Sequence, residues 1–557
     1  MQLSWLDLSI IIFYFVFVLS VGWYLKKFTK TSKDFFLAGR ECTSWVAGLS
    51  FLAANMGALE LLGWSASAYQ YGIIATHWYW IGAIPAMLFL GIFMMPFYHV
   101  SRTHSVPGFL KLRYNEPTRL LSAVSFSVMT LLASGISMYS MGLVLATMLG
   151  WNFNTCVILS AGTVAVYVAF AGLTSAIFNE IIQFFLIWCG ALLIPIIGLV
   201  EVGGWDNLVT MVSQRTAEMG KAGEFMHLWS SMGSYSDNPM GLHWLGIVLG
   251  LGWVVSFGYW TTDFLVVQRV LAAKDMRSAK MAPIIASFFK MAIPFIVILP
   301  GLIGIAVLPE LKPADTGAFS LNSYNAVLPL LIKRYFAPGL LGLGVTALIA
   351  GFMSGMAGNI SAFATVWTYD IYRSVIYKEG TDRSYLNMGR ICTVVGIIIS
   401  IGSAYLVMQF ASIMDYMQAL FSFFIAPLFG TIFLGMFWRK ATDWGGFWGL
   451  LTGTCSSISM FLLLKFNLIE GKWVAFSNDA SAMAQNMWRA WWAWCITIII
   501  TVIVSKFGRP KSEEQLVGLV YGITKLEKES SYSLFHRPSF WACISLVAFL
   551  ILNIIFF

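Results

Sequence analysis

Long apolar runs without a single charge constrain this chain more than any other feature. The stretch Trp78–His99, WYWIGAIPAMLFLGIFMMPFYH, holds no Asp, Glu, Lys or Arg. About 20 mainly apolar residues suffice for a helix to cross the bilayer core, where backbone groups must be satisfied internally, by a helix or a closed barrel. Charged residues make up 11% of the 557 positions, against about 25% in soluble domains. A soluble enzyme, a disordered regulator and a nucleic-acid binder are all excluded by that shortage. The seven cysteines, Cys42, Cys156, Cys189, Cys392, Cys455, Cys495 and Cys543, form no CxxC pair, so neither a disulfide framework nor a zinc site is expected. His99 and His104 lack a HExxH context and read as interfacial. Met1–Asp7 has no basic segment, so Leu8–Leu25 reads as a retained span and not a signal peptide.

Cutting at charged, Gly-rich and Pro-rich breaks leaves about 14 candidate spanning helices. They run Leu8–Leu25, Thr43–Tyr71, Trp78–His99, Thr118–Leu149, Phe153–Ala171, Ser175–Val200 and Leu242–Val267. The rest are Met281–Leu308, Pro338–Tyr369, Gly389–Phe410, Ser412–Trp438, Trp444–Leu464, Met487–Val504 and Phe540–Phe557. With the N-terminus outside, 25 of the 34 Lys and Arg fall in cytoplasmic loops and eight in outside loops, with Lys290 inside a span. That bias follows the positive-inside rule and places both termini extracytoplasmically, in the inner membrane.

Two spans are interrupted in corresponding places. SWVAGLSFLAANMGALELLGWSASAYQYG and LGIVLGLGWVVSFGYWTTDFLVVQ carry glycines and small polar residues mid-span, where a continuous helix favours Leu or Ala. Each opens a block of five spans, and an odd block length reverses the orientation of the second. That is the pattern of an inverted-repeat secondary transporter; the competing reading is that the glycines only allow close helix packing. The organisation expected is an N-terminal helix and loop (1–42), a first repeat (43–201), an extracytoplasmic loop (202–241), a second repeat (242–438) and three accessory helices (439–557).

An ionisable group near the bilayer centre costs about 2.5–3.5 kcal/mol on insertion scales and is a functional hypothesis by default. Glu60, Glu180, Asp263 and Lys290 are such groups. Lys290, in SFFKMAIPF, is too deep to snorkel and needs a partner, for which Glu60 is the candidate nearest in type and depth; a pair that only fixes helix register is the alternative. Asp415 and Gln418, spaced i, i+3, share a helix face that is either a solvated end or a place to hydrogen-bond a polyhydroxylated solute. Trp78, Tyr79 and Trp80 read as an aromatic belt or as a stacking platform. Gly351, Gly355 and Gly358 form a small-residue face, with the Ser354 hydroxyl where unwound backbone carbonyls meet it, oxygens suited to a hard monovalent cation.

These residues lie among motifs that resemble the solute:sodium symporter family, and within it the sodium/galactose and sodium/glucose branch. The motifs are DFFLAGR (Asp34–Arg40), AANMG (Ala53–Gly57), AGLTSAIFNEIIQ (Ala171–Gln183), YW (Tyr259–Trp260), QRVLAAKD (Gln268–Asp275), FKMAIPF (Phe289–Phe295), ATVWTYDIY (Ala364–Tyr372) and LGMFWRK (Leu434–Lys440). The resemblance implies an all-α polytopic protein with a LeuT-type 5+5 core, one helix before it and three after. It implies a sodium site made by the carbonyls of Ala53, Met56 and Gly351 and the Ser354 hydroxyl, with Gly355 where the family has a second hydroxyl, and an ion path near Glu180. It also implies solute contacts at Glu60, Trp78, Tyr79, Gly82, Ser256, Lys290 and Gln418, with Tyr259 and Met414 as gates. Glu60, Tyr79, Gly82 and Ser256 depart from the branch's residue types. The function expected is sodium-coupled symport of a small polar solute by alternating access, without catalysis or cofactor. A sugar or polyol is the expected solute, and an organic anion or a proton-coupled sugar the alternative. A membrane-embedded enzyme would need a catalytic constellation that the sequence does not present.

Overall fold

The computed structural model describes residues 4–25, 41–218, 225–312, 319–524 and 533–557. The DFFLAGR motif and Lys26, Lys27, Lys30, Lys33, Arg40, Lys221, Lys525 and Lys528 of the charge tally lie outside the described residues. Helices carry the fold, and the described residues contain no β-strand beyond isolated bridges such as Cys42 with Ala273. Ten of the helices among the described residues are long and apolar enough to cross a membrane, and one bent pair adds an eleventh.

In chain order the principal helices are α1 (Trp5–Leu25), α2 (Ser44–Asn55), α3 (Leu59–Thr76), α4 (Trp78–Val100), α5 (Glu116–Leu149) and α6 (Phe153–Glu201). They continue as α7 (Gly246–Thr262), α8 (Phe264–Leu271), α9 (Met276–Val307), α10 (Leu340–Ile376), α11 (Asp382–Val407) and α12 (Ile413–Phe437). The last three are α13 (Asp443–Lys465), α14 (Ala482–Lys506) and α15 (Pro538–Ile555). Polar caps punctuate the apolar pattern. Asn115 Oδ1 accepts from Thr118 N–H at 2.9 Å to start α5, which Gly150 ends in the left-handed region at φ +69°. Asp275 Oδ1 caps α9 through Ser278 N–H at 2.7 Å. Each cap satisfies an end group that lipid cannot.

All fourteen segments read from the sequence fall on helices, yet among the described residues only ten helices, or eleven with the bent pair, are long and apolar enough to cross a membrane. Trp5–Val21, Phe153–Gly162 and Gly246–Thr262 are apolar helices of fewer than 18 residues. Where the sequence suggests two spans, Phe153–Ala171 and Ser175–Val200, α6 is one helical run. The break expected at Gly172–Thr174 rests on a single glycine, whose cost of about 1 kcal/mol does not stop a helix.

The two interruptions are real, but they differ in kind. α2 and α3 meet at 59° across Met56–Ala58. In the seventh segment the glycines do not break the helix; they admit neighbours. A Cβ on Gly250 would stand 2.7 Å from the Met487 carbonyl, and one on Gly258 would be 2.6 Å from Ile425. The chain instead turns extended at Asp263 (ψ 114°), whose Oδ1 accepts from Leu265 N–H at 2.9 Å and so caps α8.

Candidate functional site

The site is built where α9 crosses the broken span. Two glycines set that crossing. A Cβ on Gly48 of α2 would be 2.7 Å from the Ala282 carbonyl, and one on Gly301 of α9 would be 2.4 Å from the Ser65 carbonyl of α3. The backbones therefore touch on both sides of the bend, and Lys290, between Ala282 and Gly301 on α9, is left facing it. Lys290 Nζ donates to Glu60 Oε1 and to Asn55 Oδ1, and lies 4.9 Å from the Tyr79 ring centroid and 5.1 Å from that of Trp260. Asn55 Nδ2 in turn donates to the Tyr259 hydroxyl at 2.9 Å. An ammonium so deep is tolerable because a carboxylate, an amide oxygen and two π faces replace its water. The pair inferred from depth alone is thus formed.

A cavity of about 50 Å³ adjoins the pair; of the candidate solute contacts Glu60, Trp78, Tyr79, Ser256, Lys290 and Gln418 line it and Gly82 does not, and Asn55, Trp64, Tyr259, Trp260 and Phe421 line it as well. That volume holds a water or two, each taking about 30 Å³ in the liquid, so a larger occupant requires the walls to part. The Trp78 Nε1 donor and the Gln418 Oε1 acceptor are buried and have no hydrogen-bond partner among the described residues. Trp64 packs at 5.0 Å on Trp78 and 5.7 Å on Tyr79, so the aromatics at the start of α4 form an interior wall and not a belt. Trp80 is interior too and donates to the Met291 carbonyl at 3.1 Å. A Cβ on Gly82 would stand 2.2 Å from Ser256 Oγ. The small residues at 82 and 256 are therefore complementary: the Ser256 hydroxyl fills the space that a side chain at 82 would take.

Tyr259 lines this cavity with its ring 5.1 Å from that of Phe421. Met414 is not in the lining: its Sδ lies 2.8 Å from where a Gly63 Cβ would be, one turn of α3 beyond Glu60. Gln418 reaches the cavity, whereas Asp415, one turn earlier, does not. Both Asp415 carboxylate oxygens are buried without a hydrogen bond among the described residues, and its backbone carbonyl accepts from Asn486 Nδ2 at 3.1 Å. Asp263 serves as the cap of α8.

The four expected cation ligands come together at the bend. Ser354 Oγ, fully buried, donates to the Ala53 carbonyl at 3.1 Å. A Cβ on Gly351 would be 3.2 Å from the Met56 carbonyl oxygen, and one on Gly57 would be 3.5 Å from the Gly351 carbonyl oxygen. Neutral carbonyl and hydroxyl oxygens at an unwound helix are the donor set a hard monovalent cation takes. Gly355 stands beside them, where a Cβ would be 3.1 Å from Gly57 Cα.

Glu180 is far from free. Its Oε1 accepts from Arg269 Nη2 at 2.5 Å, and its Oε2 from Ser50 Oγ at 2.6 Å and Arg269 Nε at 3.4 Å. Arg269 Nη1 donates to the Leu265 carbonyl at 2.6 Å, and neither side chain is exposed. Sequence reasoning counted Arg269 as a loop cation and missed this partner, although its place in QRVLAAKD, straight after an interrupted span, was a signal. It also passed over Asn55, an amide in the middle of AANMG that joins Lys290 to Tyr259.

The chain is 28% identical over 477 residues to the sodium/glucose cotransporter of Vibrio parahaemolyticus, covering 83% of this chain and 86% of that one. It is 27% identical over 543 residues to the human sodium/myo-inositol cotransporter, covering 92% and 74%. A solved Na+-coupled sialic acid symporter in a substrate-bound outward-open state shares the fold, with a TM-score of 0.73 at 20% identity over 91% of this chain and 99% of that one. Residues 35–453 match the model of the sodium:solute symporter family, and the chain belongs to that family.

Proposed function

We propose that this symporter carries a small neutral polyhydroxylated solute, a sugar or cyclic polyol, into the cell together with sodium. One observation carries the choice of solute class: the Lys290 ammonium is matched by Glu60. The cavity lining has no net charge from that pair, so an anionic solute finds no uncompensated cation to bind. Around the pair are groups suited to hydroxyls and to the apolar face of a sugar ring, namely the idle Trp78 Nε1 and Gln418 Oε1 and the wall of Trp64, Tyr79 and Trp260. The relatives named for glucose and myo-inositol support the same class.

The coupling ion sits, in this reading, among Ala53, Met56, Gly351 and Ser354, while Glu180 is held in an ion pair with Arg269. Sodium there joins α2 to α10 across the bend and favours the geometry that holds Glu60 and Asn55 around Lys290. Cation binding thereby raises solute affinity, and rocking of one bundle against the other completes the cycle. We place the spans in the inner membrane as two inverted repeats with boundaries at 43–201 and 242–438, and both termini extracytoplasmic.

Uptake into proteoliposomes tests this. Labelled glucose, galactose and myo-inositol, each with sodium or choline outside, are compared with a sugar acid. Accumulation of a neutral solute that needs sodium supports the proposal. Preference for the acid, or equal uptake in choline, rejects the solute class or the coupling. Ser354→Ala is expected to raise the sodium concentration for half-maximal uptake about tenfold, the loss of one charge-assisted contact.

A further inference from the structure

We propose that Ser137, on α5, supplies a fifth oxygen to the coupling cation, an inference that rests on the cation site proposed above. Three helices meet at Gly355. A Cβ there would lie 3.1 Å from Gly57 Cα at the bend and 3.4 Å from Ser137 Oγ on α5. Having no side chain, residue 355 leaves a gap through which the α5 hydroxyl faces the bend. The Gly355 carbonyl points the other way and accepts from Asn359 Nδ2 at 3.1 Å.

What sets Ser137 apart is its place: the hydroxyls of Ser122, Ser127 and Ser140 on α5 are also buried without a hydrogen bond among the described residues, but it is Ser137 Oγ that lies beside Gly355. Three other α5 hydroxyls turn back on their own helix: Thr130 Oγ1 donates to the Phe126 carbonyl at 2.7 Å, Ser134 Oγ to that of Thr130 at 2.8 Å and Thr147 Oγ1 to that of Leu143 at 2.7 Å. Ser137 is only 5% exposed, yet its hydroxyl makes no hydrogen bond among the described residues. A buried hydroxyl normally finds a partner, and it has two lone pairs to offer. The Ala53, Met56 and Gly351 carbonyls and the Ser354 hydroxyl provide four oxygens, fewer than the six or more that hard cations such as calcium gather. Ser137 adds an oxygen from a helix outside the α2–α10 contact. The ion then ties α5 to the bend as well, so its release frees α2 from two neighbours and not one.

The test reads sodium binding without any solute. Purified protein is heated in detergent at constant ionic strength with sodium replacing choline, and the sodium concentration for half-maximal stabilisation is measured. Ser137→Ala is expected to raise that concentration about tenfold, as the loss of one ion–dipole contact would, and Ser137→Thr, which keeps the oxygen, to leave it near the wild-type value. Should Ser137→Ala not fold, Ser137→Cys, with sulfur in place of oxygen, is expected to show the same rise. An unchanged midpoint in Ser137→Ala or Ser137→Cys beside a raised one in Ser354→Ala overturns the role of Ser137 and leaves the cation site standing. No change in Ser354→Ala either overturns both. An equal rise in Ser137→Ala and Ser137→Thr shows an effect of shape and also overturns the inference.

Discussion

Among the described residues two acid–base pairs are buried, and they are built to opposite ends. Around Glu180 and Arg269 every strong acceptor and most donors are used: both carboxylate oxygens are occupied and the guanidinium reaches its own helix as well. Around Glu60 and Lys290 there is a small cavity, with an indole N–H and an amide oxygen left over. Both pairs carry the desolvation cost of buried charge. The saturated one recovers it within the protein, its oxygens already occupied. The unsaturated one has polar capacity to spare, which is what a site that exchanges a ligand needs. Burial of an ion pair is therefore no guide to function by itself; the count of unmet partners beside it is.

The largest effect expected comes from breaking the saturated pair. Arg269→Met leaves Glu180 as an uncompensated buried charge and is expected to destabilise the fold by about 3–5 kcal/mol, while the double replacement with Glu180→Leu restores much of the loss. Thermal unfolding in detergent reads both, and a double variant no better than the single one contradicts the purely structural reading. Glu60→Gln should be milder in stability and stronger in function. Lys290 keeps the Asn55 oxygen and two aromatic faces, the latter worth about 2 kcal/mol where desolvated. Its charge is then unmatched, so a sugar acid is expected to compete for uptake at least several-fold better than against the wild type. A stability loss equal to that of Arg269→Met would erase the contrast between the pairs.

Two smaller changes sharpen it. Gln418→Leu removes an acceptor that the fold does not use, and is expected to weaken solute affinity about fivefold to tenfold, a hydrogen bond of about 1–1.5 kcal/mol. Sodium-only stabilisation should not move; if it does, Gln418 serves the cation site instead. Trp78→Phe keeps an aromatic ring, smaller than the indole, and deletes the N–H, and a loss of about threefold in apparent solute affinity is expected. Unchanged uptake kinetics would return Trp78 to a wall-packing role.

Much of this was legible in one dimension. A carboxylate and an ammonium deep in apolar runs demand one another, so the Glu60–Lys290 pair follows from cost alone. The oxygen set Ala53, Met56, Gly351 and Ser354 was legible through motif resemblance and the position of AANMG in an interrupted span. The aromatic trio at Trp78 was not, because a belt and a cavity wall have the same sequence pattern and differ only in what faces them. Nor was the place of the second break: the seventh segment's glycines look like hinges, but they serve contacts with Met487 and Ile425, residues far along the chain.

The sequence by itself determined that the chain is a helical membrane protein, that its first long span is interrupted near Gly57, and that Lys290 needs an acid. Hydrophobicity, backbone satisfaction and charge burial are costs each residue incurs wherever its neighbours are. Tertiary structure alone decided that Arg269 neutralises Glu180, that Asn55 links Lys290 to Tyr259, and that Ser137 arrives beside Gly355. Those outcomes depend on which helix faces cross at backbone distance, a property of pairs of segments 89 to 235 residues apart that no local periodicity encodes.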